Sequence, residues 1–157
     1  MHQLKTLCIL GTGNTLRSDD GIGAYVCQQL EILNLEGVTI HNIHQLQTEW
    51  LDELADFNTV LIVDAAINNN DVINIVPIDR AVSISSNISH HINVNLLADL
   101  MTTMNNSRVH FYTCAIPGEN FDFGENLSSR GRKNAERAVG LITHWLFENG
   151  FNPAPGA

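Results

Sequence analysis

Residues 59–63 read TVLIV, apolar or β-branched at every position with no polar alternation. A strand of this kind has two apolar faces, so it cannot lie on a sheet that shows one side to water; it needs cover above and below. The segments around it offer that cover. Residues 6–10 (TLCIL) form a second fully apolar run that Gly11 closes, and from Gly21 onward Ile22, Tyr25, Val26, Leu30 and Leu33 recur on one face of a 3.6-residue repeat. Strand, turn and helix make the first unit.

A second unit follows. Residues 38–43 alternate as a strand does, and Thr48 is placed to cap a short helix carrying Leu51, Leu54 and Ala55, with Glu49 in its first turn. The run 59–63 is then the third strand, ending at Asp64. Residues 72–78 read as another strand, at an edge because Pro77 cannot donate to a ladder. A helix is expected from residues 89–91 through Leu96, Leu97, Leu100 and Met104, then a strand over 109–115 and a loop with three acids and two phenylalanines. Ser128 or Ser129 caps a last helix with Ala135, Ala138, Val139, Ile142 and Leu146 on its core face, ending before Gly150. Alternation of this kind gives right-handed crossovers and a mostly parallel sheet covered on both faces. The expected organisation is one domain over residues 1–150, with residues 151–157, two prolines and a glycine among them, as a frayed tail.

Composition narrows the function classes. The net charge of −9 opposes a phosphate backbone, and the eight basic residues form only the short cluster 130–133, so nucleic acid is not the expected partner. No apolar run approaches the roughly 18 residues of a membrane span. Met1 is followed by His2, Gln3 and a strand-like run rather than by a basic region and a cleavage site, and the expected location is the cytoplasm. Cys8, Cys27 and Cys114 are scattered through apolar stretches without a C-x-x-C pair, which reads as buried thiols.

In parallel sheets ligands gather beyond the carboxyl ends of the strands, near the point where the chain reverses its winding. Three stretches reach that end: the turn 11–20, Asp64, and the loop leading to His90 and His91. The turn is not a dinucleotide site, because Leu16 stands where the third glycine of G-x-G-x-x-G belongs, and not a P-loop, because no G-K-[ST] follows. It carries two adjacent acids instead, Asp19 and Asp20, which favour a helix N-terminus; one is explained by capping, the second less well. Asp64 could close a turn, and His90 and His91 could be a solvated helix start. Together, two carboxylates and an imidazole make an oxygen and nitrogen ligand set suited to nickel or zinc, with coordination positions left open. H-E-x-x-H and G-x-S-x-G are both absent.

The ordered segments GTGNTLRSDDGIG, VLIVDAA, SHHINVNLL and PGENFDFGENLS resemble the hydrogenase maturation endopeptidases, whose first motif is G-x-G-N-x-L-x-x-D-[DE]-x-x-G. The resemblance implies a three-layer αβα sandwich around a twisted, mostly parallel sheet of about five strands. It implies an enzyme that removes the C-terminal extension of a [NiFe]-hydrogenase large-subunit precursor once nickel is inserted. The family's triad falls on Asp20, Asp64 and either His90 or His91, with Asp20 and Asp64 as the catalytic candidates and nickel, presented by the substrate, as the ion they contact. Where many members carry an aspartate and a glycine-rich motif after the second strand, this chain has HQLQTEW, residues 44–50, which resembles an H-Q-L-T-P-E-L branch; Gln45 and Glu49 are candidates there for reading the substrate. Two other readings stay open: a non-catalytic nickel-binding or assembly-docking module, for which the acidic loop 119–125 is suited, and a small-molecule hydrolase.

Overall fold

The computed structural model describes residues 6–78, 102 and 109–156. Five strands form one sheet: β1 (Leu7–Thr12), β2 (Val38–Ile43), β3 (Thr59–Ile67), β4 (Ile75–Pro77) and β5 (His110–Gly118), in the order β2-β1-β3-β5-β4. The first three and β5 run parallel, and β4 lies antiparallel on the outer edge of β5. A short 3-10 turn (Ser18–Gly21) leads into α1 (Ile22–Glu31); α2 (Trp50–Leu54) connects β2 to β3, and α3 (Ser129–Glu148) follows β5. The five-stranded, mostly parallel α/β sheet expected from the sequence is present, with Pro77 on the edge strand.

The alternation of side chains along the central strands builds a core on each face. Leu7, Ile9, Leu61, Val63 and Ile116 point to the side covered by Val26 and Leu30 of α1 and Ala138, Ile142 and Leu146 of α3. Cys8, Leu10, Val60, Ile62 and Phe111 point to the other side, where Leu46, Leu54 and Trp50 pack. Each large aliphatic side chain fully withdrawn from water contributes about 1.5–3 kcal/mol, which is why strands apolar on both faces end up at the centre of the sheet.

Several boundaries differ from expectation. β1 continues through Gly11 to Thr12 because β2 pairs with it as far as Ile43. β3 does not end at Asp64: β1 stops pairing at Val63, but β5 continues alongside to Gly118, so Asp64 lies within a strand and beside the end of its neighbour. Only residues 75–77 of the expected 72–78 strand pair, because Asn68 and Asn70 side chains accept the Asn70 and Val72 amides and hold that stretch as turns. The helical turn of α2 begins without a side-chain cap, so Thr48 does not play that part. Ser128 does cap α3, accepting from the Gly131 amide at 2.9 Å.

Residues 151–156, expected to fray, are pinned. Gly150 adopts φ 86°, Phe151 N donates to Leu146 O at 3.0 Å and Gly150 N to Phe147 O at 3.1 Å, a Schellman closure with Phe151 buried against the same cluster as Leu146. Beyond it, Glu36 N donates to Asn152 O and Ala154 N to Asn34 O, both at 2.9 Å. The apolar residue just past the helix stop overrides the prolines that follow. Of the expected helix over residues 89–104 only Thr102 is among the described residues, and it is helical. Among the described residues no helix is long and apolar enough to cross a membrane.

Candidate functional site

The winding of the sheet reverses between β1, whose next strand lies to one side, and β3, which lies on the other. The carboxyl ends of these two strands therefore open a crevice, and the turn after β1 folds over it. Gly13 takes φ 134° with the Asp20 carbonyl filling the place a Cβ would occupy, so no other residue fits there. Its amide is shared between the Ile43 and His44 carbonyls at 3.2 Å, which brings the loop bearing Gln45 and Glu49, both exposed, beside the turn. The chain then coils back: Asn14 N donates to Asp20 Oδ2 at 2.7 Å, Leu16 N to Asn14 Oδ1 at 2.9 Å, and Asp20 N to Arg17 O at 3.1 Å. Asp20 is buried with its carboxylate oriented by the Asn14 amide.

Asp19 is fully buried and plays a different part. Its Oδ2 accepts from the Glu119 amide at 2.7 Å, the Asn120 amide at 2.9 Å and the Ser128 hydroxyl at 2.6 Å, and its Oδ1 accepts from the Ser128 amide at 2.8 Å. Burial alone would raise its pKa, but the Ser128 hydroxyl and the three amides outweigh it and hold the carboxyl below its ordinary value. Gly131 is open on the Asp19 side because a Cβ there would fall on the carboxylate. Asp19 thus fastens the loop after β5 and the start of α3 to the turn after β1.

Asp64 is 4% exposed, and among the described residues neither of its oxygens has a hydrogen-bond partner. Burial pushes its carboxyl well above the usual carboxylate range, and the negative charge of Asp20 adds to this; the Thr12 hydroxyl and the Ala65 amide, near but short of hydrogen-bond geometry, work against it. A buried carboxylate with no completed hydrogen bond costs several kcal/mol when ionised unless a cation compensates it. Two buried acids close enough for the charge of one to raise the pKa of the other, one oriented and one without a completed hydrogen bond, are therefore suited to a positive ion.

The structure brings together Asp20 and Asp64 of the four candidate metal-contacting residues. His90 and His91 lie outside the described residues, among which no three metal-binding side chains converge. The three cysteines are buried, and burial, aided at Cys8 by Glu53 and at Cys27 by Glu31, raises each thiol to about 12, which leaves them inert as nucleophiles. Two contributors were not picked out from the sequence. Asn14 orients Asp20 through its main chain, and nothing but its place in the turn signals this. Ser128 was recognisable as a cap, but its hydroxyl also donates to Asp19, which is 109 residues away in sequence.

Behind the crevice, Arg130 of α3 donates to Asp71 Oδ1 at 2.8 Å and to the carbonyls of Asn68 and Asn70, and Asn134 donates to Asp71 Oδ1 and to Pro117 O at 3.0 Å. This network ties the loop after β3 to α3.

No family model matches the chain. Solved structures of hydrogenase maturation endopeptidases share its fold, meeting the resemblance seen in the motifs. The hydrogenase maturating endopeptidase HybD from E. coli superposes with a TM-score of 0.77 at 23% identity, covering 94% of this chain and 95% of that one. The [NiFe] hydrogenase maturation protease HybD from Thermococcus kodakarensis gives a TM-score of 0.71 at 19% identity over 89% of this chain and 98% of that one. A curated relative from Methanocaldococcus jannaschii, assigned by name only as a hydrogenase maturation protease, is 29% identical over 82 residues; the match spans 46% of this chain and about half, 48%, of the relative's length.

Proposed function

We propose that the chain is an endopeptidase that removes the C-terminal extension of a [NiFe]-hydrogenase large-subunit precursor after nickel insertion. Asp20, Asp64 and one of His90 and His91 contact the nickel already seated in that substrate. The observation that carries the proposal is the Asp64 carboxylate, buried beside Asp20 with neither oxygen hydrogen-bonded among the described residues. Such a group weakens the folded chain and is compensated when a cation enters the crevice. The names of the proteins that share the fold, hydrogenase maturation endopeptidases from a bacterium and an archaeon, supply the substrate class.

The chain's own part in the reaction follows from the site. Asp20 is held in one orientation by the Asn14 amide, so it can meet the ion without searching rotamers. Asp64, as a carboxylate, would supply the second anionic contact. The inert thiols leave a covalent cysteine intermediate out of the scheme, and the attacking group is water. The test is to mix the protein at substoichiometric amounts with nickel-loaded and nickel-free precursor and to weigh the products. The loaded precursor alone is expected to lose its C-terminal segment, and Asp20→Ala and Asp64→Asn to slow that loss about a hundredfold to a thousandfold. Binding without any loss of mass would instead make the chain a docking module, and cleavage of the nickel-free precursor at the same rate would remove nickel from the reading.

A further inference from the structure

Two large apolar side chains stand in water on the turn that carries Asp20 and on the loop paired with it, Leu16 at 56% and Phe123 at 85% exposure. Their backbones are firmly held. Gly124 N donates to Leu16 O at 2.9 Å, Ser18 N to Gly124 O at 2.7 Å and Ser18 Oγ to Asp122 O at 2.8 Å, while Arg17 and Gly124 pair as a parallel bridge. The register of that bridge sets Leu16 and Phe123 at neighbouring positions. The Arg17 guanidinium lies 5.2 Å from the centre of the Phe123 ring and donates through Nε to Phe121 O, steadying the ring. Beyond its contact with Arg17, folding gains little from an aromatic ring left in solvent, whereas a backbone already fixed spares the entropy that binding would otherwise cost.

The position of the pair says what it meets. Leu16 is on the same coiled turn as Asp20, so anything that brings an ion to Asp20 and Asp64 passes alongside. The surrounding charge is on balance negative: Glu119, Asp122 and Glu125 are exposed on the Phe123 loop, against the guanidinium of Arg17 and that of Arg130, which donates to Gly118 O at 3.4 Å, in a chain of net charge −9. A second copy of the chain laid face to face would set these acids against one another, which disfavours self-association there.

We propose that Leu16 and Phe123 form the apolar clamp that seats the polypeptide of the substrate, gripping an apolar side chain of an extended segment next to the metal, with a neighbouring lysine or arginine reaching Glu119, Asp122 and Glu125. This rests on the function proposed above and assigns the place where the protein part of that substrate docks. The test uses the full chain and the nickel-loaded precursor, with steady-state cleavage measured for wild type, Leu16→Ala/Phe123→Ala and Asp122→Lys/Glu125→Lys. The apolar double variant is expected to raise KM at least about tenfold while kcat changes less than about twofold, the signature of lost docking rather than lost chemistry. The charge variant is expected to raise KM by about threefold and to flatten its dependence on salt.

All four side chains are exposed, and melting curves matching wild type establish that the variants fold; Phe123→Ser alone serves if the double variant melts early, with the same rise in KM expected. Cleavage by wild type with an unchanged KM in the folded apolar variant overturns the clamp and leaves the function standing. Failure of wild type to cleave any nickel-loaded precursor overturns both. A wild-type dimer in sedimentation that Phe123→Ser dissolves would give the face to a second copy and overturn the clamp as well.

Discussion

Asp19 and Asp64 are 0% and 4% exposed and lie at the same end of the same sheet, yet one carboxylate accepts four hydrogen bonds and the other, among the described residues, none. The contrast separates two uses of a buried acid. At Asp19 the amides of residues 119, 120 and 128 stabilise the charge, and in return the charge holds their loop in place; the group strengthens the fold. At Asp64 the Thr12 hydroxyl and the Ala65 amide approach without completing a hydrogen bond, so burial prevails and the carboxyl is held at a disadvantage that an incoming cation would remove. One anion is spent on architecture and its near neighbour in space is left for a ligand.

The comparison can be broken most directly at Asp19. Asp19→Ala leaves three part-buried amides and the Ser128 hydroxyl without their acceptor, and is expected to cost about 4 kcal/mol in urea unfolding, together with the order of the 119–128 loop. A cost below 1 kcal/mol would show that the loop holds itself. Gly131→Ala should cost about 2 kcal/mol, because the new methyl meets the Asp19 carboxylate. That penalty should largely disappear when Asp19 is already alanine, and a double-mutant cycle measures the coupling.

The smallest expected effect has the opposite sign. Asp64→Asn should raise stability at pH 8 by about 1 kcal/mol even as it removes activity, whereas a loss comparable to that of Asp19→Ala would mean that the carboxylate is a structural element after all. The two acids also predict opposite pH dependence. The folded pKa of Asp19 is lowered, so its contribution is present above about pH 4 and is lost as pH falls through the folded value. The folded pKa of Asp64 is raised, so its contribution is complete below about pH 4 and is lost as pH rises through the folded value. Between pH 5 and pH 8 the wild type should therefore lose stability relative to Asp64→Asn, and equal slopes would contradict the Asp64 assignment.

The same pair marks how far the sequence could be read. The layers were legible because runs such as TVLIV demand cover on both faces, and the fold's core bears this out in Val60 and Ile62 on one side and Leu61 and Val63 on the other. The ends of elements were not, since they depend on partners far along the chain: β3 outruns Asp64 because β5 accompanies it, and the stretch before β4 is diverted by asparagine side chains. Asp19 and Asp20 were recognisable as an unusual pair, and the motif resemblance made Asp20 the candidate metal contact. That Asp19 would be the fastener depended on Ser128, which no local pattern connects to it. Phe151 shows the reverse case, where local proline and glycine content pointed to a loose end and a single buried ring with a helix-closing hydrogen-bond pair decided otherwise.

The span of the Asp19 bonds has a consequence for biosynthesis. The partners of Asp19 follow it by 100, 101 and 109 residues, so a nascent chain exposes the acids of its first turn long before the segment that fastens them leaves the ribosome. Closing so distant a contact is slow and comes late in folding. The crevice is consequently assembled only once the last third of the polypeptide has been translated, and a prematurely terminated product lacking α3 would carry the first two acids of the site without the frame that shapes it.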